Sequence, residues 1–553
     1  MVAPLLSIKN MNVSFGSTKA VDNVSFDLEK GKVLGIVGES GSGKSMTALS
    51  IMGLLPYAKN LNFSGIIEYS NSSKKIDLAN ISEKKLNKIR GNEISMIFQD
   101  PLSALNPTMK CGAQAIEPLC CHLKKSKKEA EKIILNIFEK VKIQNVKKVF
   151  NSYPHELSGG QRQRVMIAMA MSTNPRILIA DEPTTALDVT VQKEIINLIK
   201  DLQLEFGMSV IFISHDLALV KMLADDVLVM NKGKIVESGA TDTVFSSPTH
   251  YYTKALIACR PKLGVNPERL KTINDFIENK TAANPIIAQK KCDFQEKVLS
   301  VENLNVVFKI GKNRNTAWLK ANDNISFSLF KGETLGLIGE SGCGKSTLIR
   351  AILQLIKPTS GKVLFDNMDL TEISKRKMRN LRTRLQIVFQ DPYSSLTPNL
   401  TVQDALVEPM KEHSVFKNKK ERIDYIVYVL EKTGLSSDDL KKYPHQFSGG
   451  QRQRIVISRA LVLKPEIVFC DESVSALDVS VQAQVLNLLN DLKDEFNLTY
   501  VFISHDMNVV NYMSDRIMVM HNGKIVESGL AHEIINNPQK DYTKTLIEAI
   551  PTM

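Results

Sequence analysis

Short apolar runs bounded by polar residues recur along the chain and predict the strands of a mixed sheet. Continuous runs are typical of strands buried in a parallel sheet, whereas alternating pieces indicate half-exposed strands. The continuous runs are Val33–Val37, Ile177–Glu182, Thr334–Ile338 and Ile467–Glu472, and the second and fourth end in two acids. The alternating pieces are Ile8–Phe15, Val24–Leu28, Leu299–Phe308 and Ile325–Leu329. Lysine-rich stretches with helical spacing, Lys127–Lys142 and Val402–Leu430, predict helices between them.

The same order of features occurs twice, so the chain is a duplication. Four pairs of landmarks lie 290 or 291 residues apart, namely Gln99/Gln390, Ser158/Ser448, Glu182/Glu472 and His215/His505. A repeat of this length is a duplicated domain rather than a solenoid unit. We predict domains at 1–260 and 298–553, joined by a proline-containing linker at 261–297 with one short helix. The first half carries about ten extra residues within Tyr57–Lys88, which we interpret as a polar surface loop.

A glycine-rich segment follows the first apolar run of each half and precedes a helix-compatible stretch. It reads Gly-Glu-Ser-Gly-Ser-Gly-Lys-Ser at 38–45 and Gly-Glu-Ser-Gly-Cys-Gly-Lys-Ser at 339–346. In such a loop backbone N–H groups curl around phosphate oxygens, and the helix N-terminus adds positive potential. We expect Lys44 and Lys345 to reach the terminal phosphates and Ser45 and Ser346 to hold Mg²⁺. The other candidate ATP-binding residues here are Gly38, Ser40, Gly41, Gly43, Gly339, Ser341, Gly342, Gly344 and Thr347.

Two carboxylates end the second continuous run of each half. Ligands gather at the carboxyl ends of parallel strands, where the phosphates should also lie. Asp181 and Asp471 are suited to hold Mg²⁺, and Glu182 and Glu472 can polarise the attacking water. Alone, two acids often only begin a loop, but a phosphate loop in the same domain favours the functional interpretation.

A Ser-Gly-Gly-Gln segment precedes a helical stretch in each half, at 158–161 and 448–451. The same residues would make a serine-capped helix, and such a helix N-terminus is also an anion site. At this point the sequence resembles the ATP-binding-cassette (ABC) ATPases, whose signature is this segment, over essentially both halves. The resemblance implies an α/β fold of two tandem P-loop NTPase cassettes, each a RecA-like mixed-sheet core with an inserted helical subdomain.

The resemblance also implies roles for four residues around the nucleotide. Gln99 and Gln390, each followed by Asp-Pro, are similar to the Q-loop glutamine, which senses Mg²⁺ and connects the core to the helical subdomain near the membrane partner. His215 and His505, in Ile-Ser-His-Asp, are similar to the switch histidine, which contacts the γ-phosphate and the attacking water. These two histidines and the two glutamates are therefore the candidate catalytic residues.

Four further positions match the family's dimer interface and adenine site. Asp188 and Asp478, in Ala-Leu-Asp, are similar to the D-loop at the interface between cassettes. Phe15 and Phe308 lie where the family stacks an aromatic ring on adenine, although a core phenylalanine fits these positions equally well.

In the family, each ATP lies between one phosphate loop and the signature of the opposite cassette. One site would then join the phosphate loop, glutamine, acids and histidine of the first half to Ser448, Gly450 and Gln451. The other would join those of the second half to Ser158, Gly160 and Gln161. Because neither half has lost its glutamate, we predict two competent sites.

Two residues make the second half unlike the first. Ser473 replaces the proline usual after the glutamate, which the first half keeps as Pro183, so the rigidity of the loop beside Glu472 is in question. Cys343 lies inside the second phosphate loop, where it either sensitises that site to alkylation or is a tolerated variable position.

Composition and net charge exclude only broad classes of protein. The chain has 553 residues, 43% hydrophobic and 24% charged, which indicates an ordinary globular protein of two or more domains. The net charge of +12 fits nucleic acid, an anionic membrane face or a lysine-rich solvated surface. No apolar run approaches the length needed to cross a bilayer, and the N-terminus lacks the features of a signal peptide, so we expect a cytosolic protein. The seven cysteines show no Cys-x-x-Cys pair, so neither disulfides nor a metal cluster is expected.

The C-terminal tail of each half indicates which class of ABC ATPase the chain resembles. After the histidine, both halves continue through Gly-Lys-Ile-Val-Glu-Ser-Gly to a Tyr-Thr-Lys segment, at 252–254 and 542–544. This tail is similar to that of oligopeptide, dipeptide and nickel importer ATPases, and the fused arrangement is similar to glutathione or microcin-type importers. The resemblance implies an ATPase that uses ATP and Mg²⁺ on the cytoplasmic face of the cell membrane. Its partners would be two permease subunits and, indirectly, an external binding protein.

Other two-cassette ATPases give the competing interpretations. A factor acting on ribosomes would suit the basic charge, but that class has a long charged helical linker, whereas 261–297 is broken by prolines. A DNA-repair ATPase would need coiled-coil or zinc-bearing insertions, and neither pattern appears. We therefore expect no nucleic-acid partner. Some importer relatives carry an iron–sulfur site in the extension, but Cys259 and Cys292 alone make one unexpected here.

Overall fold

The computed structural model describes residues 4–58, 60–71, 74–185, 187–265, 267–278, 294–310, 317–475 and 477–550. These residues form two compact units. The first contains the described residues up to Ile257, together with Phe276–Glu278, and the second contains Ala258–Asp275 and the described residues from 294 to Ile550. The segment directly after Ile257 therefore packs with the second unit, although the domain limits predicted from sequence remain a prediction.

The first unit has two sheets and a group of helices. Its strands are Leu6–Phe15 (β1), Thr18–Leu28 (β2), Val33–Val37 (β3), Leu61–Asn71 (β4), Lys74–Asp77 (β5), Ile94–Ile97 (β6), Ile177–Asp181 (β7), Ser209–Ser214 (β8), Asp226–Asn231 (β9) and Lys234–Ala240 (β10). Its helices are Lys44–Ile51 (α1), Glu83–Ile89 (α2), Pro101–Ala104 (α3), Cys111–His122 (α4), Lys127–Lys140 (α5), Val146–Asn151 (α6), Gly159–Met171 (α7), Val189–Phe206 (α8), Leu217–Leu223 (α9), Thr241–Ser246 (α10) and Tyr251–Ala258 (α11), with a 3₁₀ turn at Pro154–Glu156.

The second unit repeats this series. Its strands are Lys297–Ile310 (β11), Ala317–Phe330 (β12), Thr334–Ile338 (β13), Ser360–Phe365 (β14), Met368–Asp369 (β15), Leu385–Val388 (β16), Ile467–Asp471 (β17), Thr499–Ile503 (β18), Arg516–His521 (β19) and Lys524–Leu530 (β20). The short helix Ile273–Ile277 (α12) precedes these strands, and its last two residues are assigned to the first unit. The helices of the second unit are Lys345–Ile352 (α13), Lys375–Leu381 (α14), Pro392–Ser395 (α15), Val402–Glu412 (α16), Lys419–Lys432 (α17), Gly449–Leu461 (α18), Val479–Phe496 (α19), Met507–Met513 (α20), Ala531–Asn536 (α21) and Asp541–Glu548 (α22). Two 3₁₀ turns lie at Ser437–Lys441 and Pro444–Gln446.

Each unit places its phosphate loop at the centre of a six-stranded sheet. In the first unit the strand order is β10-β9-β3-β8-β7-β6, parallel except for the edge strand β10. The second unit has the order β16-β17-β18-β13-β19-β20 with the same directions. An antiparallel four-stranded sheet accompanies each, ordered β2-β1-β4-β5 or β12-β11-β14-β15. The carboxyl ends of β3 and β7 therefore meet at one edge, where ligands bind in such sheets.

A hydrophobic core in each unit joins both sheets to the helix that follows the phosphate loop. In the first unit it includes Ile36 of β3, Ile51 of α1 and Ile67 of β4, each at most 1% exposed. The continuous apolar pattern of β3 follows from this position, because all five of its residues are buried. Helices α4 to α7 form the inserted helical part between β6 and β7.

Most predicted elements are present, with two differences. The continuous runs match β3 and β13 residue for residue, and Val402–Leu430 divides into α16 and α17. The extra residues within Tyr57–Lys88 do not form the predicted surface loop, because the hairpin strands β4 and β5 are longer than their counterparts β14 and β15. The polar residues of this segment are typical of a loop, but they belong to a strand, β4, whose side chains are alternately exposed and partly buried. The predicted linker helix corresponds to α12, and residues 279–293 of the linker lie outside the described ranges.

Candidate active sites

The phosphate loops are built around glycines that no other residue could replace without strain. Gly43 has φ of 101° and directly precedes α1, and a Cβ there would lie 2.5 Å from the carbonyl oxygen of Ala20. Its counterpart Gly344 precedes α13 with φ of 108°. This left-handed backbone turns the loop into the helix, so the free N–H groups of the first helical turn face the loop. Gly38, Gly41, Gly339 and Gly342 also have positive φ. Exposed residues at the loop tips are Ser40, Gly41, Ser341 and Gly342.

A buried lysine lies inside each loop. Lys44 is 4% exposed, and its Nζ donates to the carbonyl oxygens of Gly38 at 2.8 Å and Glu39 at 2.9 Å. Lys345 is equally buried and donates to the carbonyl oxygens of Gly339 at 2.6 Å and Glu340 at 2.8 Å. The ammonium group is thus held in the curve of the loop, where it can exchange carbonyl oxygens for phosphate oxygens.

The serine after each lysine meets the first acid of the acidic strand. Ser45 Oγ donates to Asp181 Oδ1 at 3.1 Å, and Ser346 Oγ donates to Asp471 Oδ1 at 2.9 Å. Burial raises the pKa of Asp181 to about 6 and also raises the pKa of Asp471. A hydroxyl and a carboxylate side by side are hard oxygen donors of the kind that Mg²⁺ prefers.

In the first site, three side chains lie within hydrogen-bonding distance of the second acid, Glu182. Glu182 Oε2 accepts from Gln99 Nε2 at 3.0 Å and from Thr185 Oγ1 at 2.9 Å, and His215 Nδ1 lies 3.1 Å from it. Burial alone would raise the pKa of Glu182, but the hydrogen bond and charge of His215, with Lys44, outweigh it and bring the pKa to about 2. The carboxylate is therefore ionised and aimed at the same region as the lysine.

The second site has the same glutamine, glutamate and histidine, but its histidine lies farther from the glutamate oxygen. Gln390 Nε2 donates to Glu472 Oε2 at 2.9 Å, and His505 Nδ1 lies 3.5 Å from that oxygen. Ser475 Oγ, at the position of Thr185, donates to the backbone carbonyl of Glu472 at 2.9 Å. Burial would raise the pKa of Glu472, but His505 and Lys345 outweigh it and lower the pKa. Ser473, in the place of Pro183, is 2% exposed.

Both glutamates have a strained backbone. Glu182 has φ of 48° and Glu472 has φ of 50°, in the left-handed region that a glutamate rarely occupies. Each donates its N–H to the neighbouring central strand, Glu182 to Ile213 at 2.9 Å and Glu472 to Ile503 at 3.1 Å. Such strain persists only where the surroundings enforce it, and it occurs preferentially at functional sites.

The signature serines cap the helices that follow them. Ser158 Oγ accepts from the N–H of Gln161 at 3.3 Å, and the Gln161 side chain accepts from the N–H of Ser158. Ser448 and Gln451 make the same reciprocal pair at the start of α18. The serine-cap interpretation is therefore confirmed. Gly160 and Gly450, the third signature residues, are the second residues of their helices.

The remaining predicted residues lie at the periphery. Asp188 and Asp478 immediately precede α8 and α19, and Thr347 follows Ser346 in α13. Phe15 ends β1 and packs against the hydrophobic core, whereas Phe308 in β11 is 38% exposed. Phe308 therefore has ring surface to offer a base, and the adenine role of both residues remains a prediction.

Sequence reasoning missed three contacts of the sites. Thr185 bonds to Glu182, and no motif marked it. Tyr252 OH accepts from the N–H of Glu39 at 3.2 Å, and Tyr542 OH accepts from the N–H of Glu340 at 3.3 Å. In the sequence the two tyrosines are only part of the importer-type tail, although their 290-residue offset equals that of the site residues.

Family comparisons agree with this geometry. A family model described as "ABC transporter" matches residues 21–185 and 322–475, which together are more than half of the chain. The chain belongs to the ABC transporter family. A second family model, "Oligopeptide/dipeptide transporter, C-terminal region", matches residues 236–297 and 526–553 of this ABC protein.

Similar proteins extend the comparison over the whole chain. The ABC protein is 44% identical over 560 residues to the glutathione import ATP-binding proteins GsiA of Escherichia coli K12 and of Shigella flexneri. Each alignment covers 99% of this chain and 89% of the relative. Among solved structures, the ATP-binding cassette MJ0796 bound to ADP and Pi is 28% identical, with a TM-score of 0.39, and covers 42% of this chain and 98% of its own.

The comparisons confirm the predicted class of protein. This ABC protein is an ATP-binding subunit of the oligopeptide/dipeptide importer family, an ATPase with two tandem cassettes. Import ATPases of this family work with membrane permeases. Within the described ranges, no helix is both long and apolar enough to span a bilayer.

Proposed function

We propose that this ATPase drives the import of peptides or peptide-like substrates, glutathione-like molecules among them, through two permease subunits at the cytoplasmic face of the inner membrane. The match to the oligopeptide/dipeptide extension in both halves carries the proposal, and the full-length similarity to glutathione import ATPases supports it. An external binding protein would deliver the substrate to the permease. Nickel import is the second substrate class, because the sequence tail is similar to nickel importers as well.

The residue roles in the first cassette follow from its contacts. Lys44 would leave the carbonyl oxygens of its own loop for phosphate oxygens. Glu182 would accept a hydrogen bond from the attacking water and orient it, since its carboxylate is ionised and three side chains fix its Oε2. His215, bonded to the same oxygen, would contact the γ-phosphate side of that water. Lys345, Glu472 and His505 would act in the same way in the second cassette.

The residues beside each lysine fit Mg²⁺. Ser45 Oγ and Asp181 Oδ1 already adjoin, as do Ser346 Oγ and Asp471 Oδ1. Gln99 and Gln390, which bond to the two glutamates, would sense the ion. When bound, Mg²⁺ would neutralise negative charge on the phosphate oxygens.

We also propose that the signature of each cassette serves the ATP held by the other. The support is the family pattern, together with the start of α7 and α18, where helix N–H groups follow a serine cap. ATP would bring the cassettes together, and hydrolysis would release them. Asp188 and Asp478 would lie at that interface.

Purification of the full chain from its own cells in mild detergent tests the proposed function. We expect two hydrophobic permease chains to co-purify, and vesicles containing that complex to take up di- or oligopeptides only with MgATP. Lys44→Ala and Lys345→Ala variants are the controls, since they should retain the permeases but lose uptake. Recovery of ribosomes in place of permeases would contradict the proposal, and uptake of Ni²⁺ without peptide uptake would favour the second substrate class.

The lack of an iron–sulfur site and of a nucleic-acid partner stays a prediction. Cys259 is buried, whereas Cys292 lies outside the described residues. Iron analysis of the purified complex would check the first prediction, and the nucleic-acid content of the same preparation would check the second.

A further inference from the structure

The importer-type extension contacts the phosphate loop in the first cassette through one tyrosine. Tyr252 in α11 is 1% exposed, and its hydroxyl accepts from the N–H of Glu39 at 3.2 Å. The same hydroxyl donates to Glu39 Oε2 at 3.2 Å. Glu39 is the second residue of the phosphate loop, so a residue more than two hundred positions away is bonded directly to the nucleotide-binding loop.

The second cassette makes the corresponding backbone contact with different neighbours. Tyr542 OH accepts from the N–H of Glu340 at 3.3 Å, and its ring packs on His521 with 4.0 Å between centroids. In the first cassette Asn231 occupies the place of His521. The hydroxyl contact therefore recurs although the packing around the ring has changed, which indicates that the hydrogen bond itself matters.

A half-buried glutamate in the hairpin that leads to the extension fixes the helix that carries each tyrosine. Glu237 in β10 accepts from the N–H of Thr249 at 2.7 Å and of His250 at 3.2 Å. Glu527 in β20 accepts from the N–H of Gln539 at 2.7 Å and of Lys540 at 3.2 Å. These carboxylates satisfy N–H groups just before α11 and α22, so the tyrosines are presented from an anchored helix end.

The tyrosine and the loop lysine hold the same residue from opposite sides. The Glu39 N–H bonds to Tyr252, while the Glu39 carbonyl accepts from Lys44 Nζ at 2.9 Å. When the lysine turns to phosphate oxygens, the tyrosine bond remains to keep the peptide of Glu39 in place. Glu340 is held in the same way by Tyr542 and by Lys345 Nζ at 2.8 Å.

We infer that Tyr252 and Tyr542 are positioning residues that pre-organise the phosphate loops for ATP, and that they link each ATP site to the importer-type extension. The inference rests on the proposed assignment of these loops as the ATP phosphate sites. A pre-formed loop binds better because less ordering has to accompany binding. Loss of one hydroxyl should therefore weaken ATP binding roughly 2- to 10-fold, the usual range for one hydrogen bond.

Tyr252→Phe and Tyr542→Phe in the full chain test the inference, because each removes only the hydroxyl. Tyr251→Phe is the matched control, since Tyr251 is the next residue in the same helix and is 46% exposed. Amide hydrogen exchange without nucleotide reports the contact itself. We expect exchange of the Glu39 amide in Tyr252→Phe, and of the Glu340 amide in Tyr542→Phe, to become roughly 2- to 10-fold faster.

Nucleotide binding and turnover supply the second readout. We expect the Kd and KM for MgATP to rise roughly 2- to 10-fold while kcat changes less than about twofold, since the tyrosines act on loop order and not on the attacking water. Unchanged amide exchange and unchanged Kd relative to Tyr251→Phe would overturn the inference. A fall in kcat without a change in Kd would also overturn it.

The lysine variants distinguish failure of the phosphate-loop assignment from failure of the positioning role. If Lys44→Ala and Lys345→Ala bound ATP normally, the phosphate-loop assignment would fail, whatever the tyrosine variants did. If only the tyrosine variants bound normally, the assignment would stand and the positioning role would be lost. Tyr542 is less buried than Tyr252, so Tyr542→Phe still tests the positioning role if Tyr252→Phe disturbs folding.

Discussion

The two cassettes contain the same site residues, yet they hold the proposed catalytic glutamate differently. Around Glu182, glutamine, threonine and histidine side chains all reach Oε2 at 2.9 to 3.1 Å. Around Glu472, the glutamine keeps its bond, the histidine nitrogen is 3.5 Å away, and Ser475 bonds to the backbone carbonyl. Two sites with the same motifs can therefore differ in their hydrogen bonds. Thr185 and Ser475 occupy equivalent positions outside the motifs, yet they bond to different oxygen atoms of the adjacent glutamate.

The strongest way to test this comparison is to neutralise each glutamate. Glu182→Gln and Glu472→Gln should each lower kcat roughly 10²- to 10⁴-fold, since each removes a positioned base while leaving the lysine and serine in place. Steady-state ATP hydrolysis at saturating MgATP measures the loss. Equal losses would show that both sites must function in each cycle despite their different hydrogen bonds.

The control for the glutamate variants is Glu131→Gln, which alters an exposed glutamate of α5. It should leave hydrolysis unchanged, and all three proteins should retain ATP binding. If either Glu182→Gln or Glu472→Gln hydrolysed ATP at the normal rate, the prediction of two competent sites would be wrong.

A milder change targets the threonine that distinguishes the sites. Thr185→Ala removes the hydroxyl 2.9 Å from Glu182 Oε2 and should lower kcat about tenfold, the effect of losing one hydrogen bond to a charged group. Ser475→Ala removes a bond to a backbone carbonyl and should lower kcat less than about threefold. Thr185→Ser tests the comparison directly, because it puts into the first site the residue that bonds to the backbone carbonyl in the second, and it should lower kcat about as much as Thr185→Ala. Equal losses in the two alanine variants would argue against the difference between the sites.

The sequence allowed the sheet, the loops and the paired acids to be predicted because each depends on local pattern. Val33–Val37 is buried on both faces, and its continuous apolar pattern identified it as β3. The glycines of the loops marked positions where positive φ is needed. Such features need only neighbouring residues to be recognised.

Contacts between distant segments could not be predicted in this way. Glu182 combines a left-handed backbone with a hydrogen bond from its N–H to Ile213 on a neighbouring strand, and the sequence of an acidic strand end predicts neither. The Tyr252 contact depends on how α11 folds back to the loop. The loop prediction for the extra residues within Tyr57–Lys88 is wrong for a related reason, because pairing with β1 makes a polar segment into a strand.

A second difference between the cassettes concerns stability. Asn487 in α19 is 2% exposed, donates to the carbonyl oxygen of Leu270 at 2.8 Å and accepts from its N–H at 2.9 Å. Tyr512 OH donates to the same asparagine at 2.9 Å. At the 290-residue offset the first cassette has Asn197, which is exposed. The same residue type is thus a structural anchor in one cassette and a surface residue in the other.

Asn487→Ala should destabilise the second unit by about 2 kcal/mol, because it leaves buried backbone groups of Leu270 without their partners. Its melting transition should fall by about 4–8 °C. Asn197→Ala is the matched control, and its melting transition should move by less than about 2 °C. Calorimetry of the full chain measures both. A similar shift in the two variants would mean that Leu270 finds other partners in solution.

The smallest expected effect concerns the cysteine in the second phosphate loop. Cys343 is 6% exposed, with its Sγ 3.8 Å from Lys345 Nζ, and the first cassette has Ser42 at this position. Because a serine serves in the equivalent loop, Cys343→Ser should change kcat and KM less than about twofold. In the unaltered protein, mass spectrometry should find N-ethylmaleimide on the exposed Cys121 well before Cys343. Faster labelling of Cys343, prevented by ATP, would instead show that the second loop opens without nucleotide and that the two ATP sites differ before any chemistry begins.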